Sequence, residues 1–151
     1  MNFGDVSCLH VFALYAIIKC GAPESAVLHD INIVLRTIPE SNQITNLSFD
    51  FNIVGQHPFH GCLDQDWVAM FDEVIRISAG KPLELELQTT VSTENLDFKH
   101  PGQDELYMNI MNRMASLSDY PNICTHFWNP NCRAHGLGSF PRGQVRSKCG
   151  R

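Results

Sequence analysis

The stretch Trp67-Val-Ala-Met-Phe-Asp-Glu-Val-Ile-Arg-Ile-Ser-Ala-Gly-Lys-Pro-Leu-Glu-Leu-Glu-Leu-Gln88 decides the fold, because its hydrophobic period changes at a single turn. Before Gly80, large apolar residues recur at steps of three and four, which is the spacing of one face of a helix. After Pro82, leucines alternate with polar residues, which is the pattern of a strand with one buried face. We therefore predict a helix over residues 66–79, capped by Asp64 or Asp66 and ended by Gly80, and a strand over residues 83–88.

The same helix-to-strand unit is predicted twice more. Helical periodicity over residues 24–38 precedes an alternating stretch at 44–51, and helical periodicity over residues 104–118 precedes an extended stretch at 123–128. Because a helix lies between successive strands, the strands should be parallel neighbours in one sheet. The polar residues that alternate with apolar ones in these strands indicate that one face of the sheet is exposed to solvent. The predicted fold class is α/β, as a short solenoid-like array of helix-strand units with parallel strands.

The two ends of the chain have different patterns. The segment from Asp5 or Ser7 to Cys20 is apolar around most of a helical cylinder, so we predict a small N-terminal capping helix. Its apolar run over residues 11–18 is too short to span a bilayer and has no basic segment before it, so we expect no membrane partner, no secretion and a cytoplasmic location. Residues 1–128 should form a single α/β repeat-like domain, and residues 129–151 a flexible basic tail.

Charge is distributed unequally along the sequence. All 16 acidic residues lie at or before Asp119, whereas the residues after it include five lysines and arginines and no acidic residue. The predicted domain is therefore strongly acidic and would repel a polyanion. We expect no nucleic-acid partner.

Several stretches resemble a known repeat family. Ile44-x-x-Leu47-x-Phe49 and Tyr120-Pro-Asn-Ile-x-x-x-Phe127 look like degenerate strand segments of leucine-rich repeats. The array is similar to the long, irregular repeats that follow the F-box in fungal F-box proteins, over about residues 24–128.

The resemblance implies that the array recruits substrates to a ubiquitin ligase. Residues 1–23 are too few for the F-box itself, so we expect the chain to be a fragment of such a substrate receptor. The buried asparagine ladder of the family has one candidate here, Asn52.

Polar side chains at the outer positions of the predicted strands form the candidate binding site. Parallel pairing would align them on one exposed face of the sheet, where the carboxylates would attract a basic partner. The residues predicted to line this face are Ser48, Asp50, Glu84, Glu86 and Thr125. We therefore predict a non-enzymatic module that binds another protein. The sequence has no nucleophile elbow, metalloprotease motif or phosphate-binding glycine loop, so we infer no catalytic residue, cofactor or small-molecule substrate.

A zinc-stabilised module is the alternative function. Cys124, His126, Cys132 and His135 provide two thiols and two imidazoles, a ligand set that suits tetrahedral zinc. The loop over residues 57–62 contains three more side chains of these types. The favoured interpretation of the first set is a core thiol at Cys124, a surface histidine at His126 and a disordered segment that contains Cys132 and His135.

Overall fold

A computed structural model describes residues 8–19, 27–54, 66–92, 103–128 and 144–146 of the chain. Strands and helices alternate along these residues. The strands are β1 (Val11–Lys19), β2 (Asn46–Val54), β3 (Leu83–Ser92), β4 (Ile123–Trp128) and β5 (Gln144–Arg146), and the helices are α1 (Val27–Arg36), α2 (Trp67–Ser78) and α3 (Gln103–Met114), with a 3-10 helix at Ala115–Asp119.

The five strands form one sheet, and their order in the sheet is their order in the sequence. The strands β1 to β4 are parallel, and β5 pairs with β4 in the antiparallel direction. Each of the helices α1 to α3 lies between two parallel strands and returns the chain to the start of the next one. The α/β class and the parallel pairing of the predicted strands are therefore confirmed.

The hydrophobic core lies between the helices and one face of the sheet. Every second residue of β2 is buried, and the same alternation continues in β3 and β4. Aromatic rings connect the layers: the ring centroids of Phe12 and Phe49 are 6.4 Å apart, those of Phe49 and Phe51 are 5.9 Å apart, and those of Phe51 and Trp67 are 5.6 Å apart. The core thus joins β1, β2 and α2 in one packed cluster.

Both ends of α2 have the caps that the sequence predicts. Asp66 accepts a hydrogen bond through Oδ1 from the backbone N–H of Ala69 at 3.0 Å. At the other end, Ala79 and Gly80 have φ angles of 45° and 76°, and the N–H of Ala79 donates to carbonyls of the last turn. The cap at Asp66 and the stop at Gly80 are confirmed. The reversal places Leu83 at the start of β3.

Arg76 ties α2 to the end of α1. Its guanidinium donates from Nη1 to the carbonyl oxygen of Ile38 and from Nη2 to that of Leu35, both at 2.8 Å. Its Nε donates to Glu73 at 2.6 Å, which fixes the orientation of the guanidinium. Carbonyls at the end of a helix have no donor within the helix. The cap of one helix is therefore supplied by the next helix.

Two asparagines tie neighbouring units together near the amino ends of the strands. Asn42 is buried and donates from Nδ2 to the carbonyl oxygen of Ile77 at 3.0 Å. Asn122 donates from Nδ2 to the carbonyl oxygen of Lys81 at 2.9 Å. The ladder candidate Asn52 lies instead on the half-buried outer face of β2. One buried amide and one half-buried amide therefore join the units, at positions other than that of the ladder candidate.

The predicted N-terminal capping helix is wrong, because residues 11–19 form the strand β1. Phe12 and Ile18 are buried in the core, whereas Val11, Tyr15 and Ile17 point to the other side and are exposed. A strand with apolar residues on both faces has no polar stripe, so its composition is indistinguishable from that of a helix that is apolar all round. All nine residues of β1 have partners in β2, and this pairing decides the conformation.

The predicted flexible tail over residues 129–151 falls almost entirely outside the described residues. Three of its residues, Gln144–Arg146, form β5 and pair with β4. The division of the chain at residue 128 stays a prediction. Among the described residues, no helix has the length and apolar character that a membrane crossing requires.

Candidate functional site

The candidate site is the face of the sheet that points away from α1, α2 and α3. Its side chains are exposed or half-buried in all four parallel strands. Parallel sheets normally have both faces covered, because the helices that connect their strands pack on both sides. In this chain the described helices contribute most of their apolar residues to one core cluster, together with the inner residues of the strands. In the described part of the chain, the outer face is therefore a surface of four parallel strands on which no helix packs.

The strand register sorts this outer face into rows that run across the strands. The first row contains Val11, Asn46, Glu84 and Cys124, the second contains Ala13, Ser48, Glu86 and His126, and the third contains Tyr15, Asp50, Gln88 and Trp128. Neighbouring strands are about 4.8 Å apart, so side chains in one row are within reach of the same ligand. The centre of the face is acidic and amide-rich, and its third row has an aromatic residue at each end.

Glu84 is the best-connected carboxylate of this face. Its Oε1 lies 3.0 Å from Nε2 of His126 on β4, and its Oε2 accepts a hydrogen bond from Nδ2 of Asn46 on β2 at 3.5 Å. The Glu84 side chain is 49% exposed, whereas that of His126 is 18% exposed. The carboxylate is therefore held between two strands while one side of it stays accessible to solvent.

Four of the five residues predicted to line the binding face lie on it. Ser48 and Asp50 are half-buried on β2, and Glu84 and Glu86 are exposed on β3. The placement of Thr125 is wrong, because this residue is 7% exposed and lies on the helix-facing side of β4. Side chains alternate along a strand, so the position of Thr125 between Cys124 and His126 puts it on the opposite face.

The predicted zinc ligands are only partly within the described residues. Cys124 and His126 lie on the same face of β4, with Sγ and Nε2 3.5 Å apart. Cys124 is half-buried and disulfide-bonded, so the expectation of a core thiol is wrong, whereas Cys132 and His135 lie outside the described residues. A sulfur in a disulfide is not a thiolate, the form that binds zinc. No group of three or more histidine, cysteine or carboxylate side chains suited to a metal occurs in the described part of the chain.

Sequence reasoning did not place two exposed aromatic residues on the outer face of the sheet. Tyr15 is 60% exposed on β1 and Trp128 is 46% exposed on β4, and both occupy the third row of the register. Tyr15 was not predicted to lie on this face, because its segment was predicted to be a helix. Its alternation with Leu14 and Ala16, which are partly buried, is the signal that would have placed it on the outer face of a strand.

Comparisons of the chain with protein-family models, with curated proteins and with solved structures found no match.

Proposed function

We propose that this chain is a non-enzymatic module that binds a basic protein partner on the outer face of its parallel sheet. One observation carries the proposal: four parallel strands have the described helices on one face, and acidic and aromatic side chains lie on the other. A parallel sheet with one open face presents a large, rigid surface whose side chains are set by the register. A surface of this kind suits recognition of another macromolecule.

The charge of this face supports a basic partner. Asp50, Glu84 and Glu86 lie in its centre, and Lys19 is the one lysine or arginine among the described side chains of the same face. Complementary charge raises the rate of association and selects against acidic competitors. Binding should therefore weaken as the ionic strength rises.

The repeat character of the fold belongs to the same proposal. Sequential strand order, parallel pairing and helices on one side are what a short solenoid-like array requires. They are consistent with the resemblance to the repeats of fungal F-box proteins. We infer on this basis that the chain acts as the substrate-recruiting part of such a receptor.

Affinity purification with two matched double variants tests the proposal. Glu84→Lys/Glu86→Lys reverses the charge of the outer face, while Asp72→Lys/Glu105→Lys makes the same change in net charge at exposed positions of α2 and α3. We expect partners of the wild-type protein to be retained by the helix variant at low salt, and to be lost from the sheet variant and from the wild type at high salt. Equal recovery with both variants would contradict the proposal.

A cytoplasmic location is part of this proposal, and the disulfide at Cys124 is what stands against it. Disulfides are rare in the reducing cytosol of mesophiles. Mass spectrometry of the native protein, alkylated before any reduction, distinguishes the two locations. A Cys124 that is alkylated in full supports the cytosol, whereas a protected Cys124 supports an oxidising compartment.

A further inference from the structure

We infer that the partner docks a short basic segment across the strands of the outer face, with Tyr15 and Trp128 as anchors for its two ends. This inference rests on the proposed function and names the chemistry of the segment that the face would bind. The segment has a lysine or arginine in its centre and an apolar or cationic side chain toward each end.

The register gives the geometry of this docking site. Tyr15, Asp50, Gln88 and Trp128 are mutual register partners across β1 to β4. Three strand spacings separate the two aromatic residues, which is about 14 Å. An extended chain advances about 3.3 Å per residue, so a segment of about five residues spans this row. The two anchors are too far apart to enclose one side chain together, and each must contact a different residue of the partner.

The centre of the third row has carboxylates that can bind a cation. Asp50 lies between the two aromatic residues, and Glu86 lies one row away on β3. A lysine or arginine placed there would contact two carboxylates without requiring the Glu84–His126 pair to open. A guanidinium or ammonium group also binds to aromatic faces, so a second cation near either end of the segment would be accepted.

The apolar residues exposed around Tyr15 favour a partner that covers this part of the outer face. Tyr15 continues on β1 into Val11 and Ile17, which are 56% and 46% exposed on the same face. Three large apolar side chains along one strand make an apolar strip at one end of the row. Exposed apolar strips beside polar residues are typical of interaction sites, whereas single exposed apolar residues are common on all surfaces. The strip therefore favours an apolar residue at the β1 end of the segment.

A phage-displayed library of random twelve-residue peptides, selected on the full chain at low salt, supplies a defined probe. We expect selected peptides to carry a lysine or arginine flanked by apolar or further basic residues. In fluorescence anisotropy with single synthetic peptides, Tyr15→Ala and Trp128→Ala should each weaken binding by about tenfold or more. Tyr15→Phe should retain most of the affinity, because the ring face is preserved.

Tyr120→Ala is the matched control, because Tyr120 is an aromatic residue that is 39% exposed and lies in the turn before β4. It should leave peptide binding unchanged. Thermal melting of each variant confirms that it is folded.

Three outcomes would overturn the inference in different ways. If peptides bind Tyr15→Ala and Trp128→Ala as well as the wild type but lose affinity for Glu86→Lys, the two aromatic residues are not anchors. The proposed function is then unaffected. If basic peptides bind Glu86→Lys with the affinity they have for the wild type, both the inference about the anchors and the proposed function are wrong. A Tyr15→Ala protein that changes from dimer to monomer in sedimentation, with peptide binding unaltered, would show that the β1 strip binds a second copy of this chain instead.

Discussion

At the scale of single residues, the core contains a hydroxyl group that has no hydrogen-bond partner among the described residues. Thr89 is fully buried on the inner face of β3, and its Oγ1 is unpaired. A buried polar group without a partner lowers stability by about 1 to 3 kcal/mol. We expect Thr89→Val, which keeps the shape of the side chain, to raise the free energy of unfolding by about 1 kcal/mol in urea denaturation.

Thr90 provides the control for this substitution. It is half-buried on the outer face of β3, one residue away along the same strand. Thr90→Val should change the free energy of unfolding by less than about 0.5 kcal/mol. A loss of stability in Thr89→Val would show that the hydroxyl has a partner after all.

The turn after α2 contains a second residue whose conformation lowers stability. Ala79 has a φ of 45°, a region in which a Cβ atom is crowded by the backbone. We expect Ala79→Gly to raise the free energy of unfolding by about 1 kcal/mol. Gly80→Ala should lower it by a similar amount, because Gly80 has a φ of 76°. Thermal melting of the two variants, which should move in opposite directions, checks this pair.

At the scale of elements, the stability of α1 depends on a side chain of α2. Arg76 donates to the carbonyl oxygen of Leu35 in the last turn of α1 and to that of Ile38, two residues beyond the helix. A lysine has a single point of attachment where the guanidinium has two. We expect Arg76→Lys to lower the free energy of unfolding by about 1 to 2 kcal/mol. Chemical denaturation measures the change.

A substitution of Arg36 distinguishes the effect of the carbonyl hydrogen bonds of Arg76 from that of the ion pair with Glu73. Arg36 also contacts Glu73, at 3.2 Å, but its side chain is 60% exposed. An exposed ion pair contributes little, so Arg36→Lys should change stability by less than about 0.5 kcal/mol. Equal effects of the two lysine substitutions would show that the carbonyl hydrogen bonds of Arg76 add no more stability than the exposed contact of Arg36.

The identity of β1 is tested by two neighbouring isoleucines. Ile18 is fully buried and Ile17 is 46% exposed, as alternation along a strand requires. An uncompensated charge in the core is strongly destabilising, so we expect Ile18→Asp to unfold the protein or to lower its stability by about 4 kcal/mol or more. Ile17→Asp should leave the melting temperature nearly unchanged. Comparable losses in both variants would support the all-round apolar helix that the sequence suggested.

This difference at β1 also shows what the sequence could and could not predict. The segments at 66–79, 83–88 and 123–128 were predictable, because most of their large apolar residues lie on one face and Gly80, Pro82 and Pro121 mark where the helix ends and the two strands begin. β1 has apolar residues on both faces, so its hydrophobic pattern did not distinguish the period of a strand from that of a helix. The ties from Asn42 and Arg76 were not predictable either, since they join residues that are far apart in the sequence and leave no local pattern.

At the scale of the whole molecule, the sheet is assembled from contacts of similar sequence separation. Register partners in β1 and β2, in β2 and β3, and in β3 and β4 are separated by about 35 to 40 residues, so each step closes a loop of similar entropic cost. The central strands β2 and β3 each have a parallel neighbour on both sides. We expect their amides to exchange with deuterium most slowly and those of β1 to exchange faster. Equal protection in all strands would show that the sheet opens only as one unit.

The parallel order of the strands also gives the molecule a direction. Since α1, α2 and α3 each run back against the strands, their dipoles are aligned, and their carboxyl-terminal ends lie at the side of the sheet where the strands begin. Each such end carries a partial negative charge of about one half. Each helix has an arginine in its last turn, namely Arg36, Arg76 and Arg113. Each of these cations offsets a part of the field that side-by-side helices of one polarity would otherwise add up, a contribution of about 0.3 to 1 kcal/mol for each exposed group at low ionic strength.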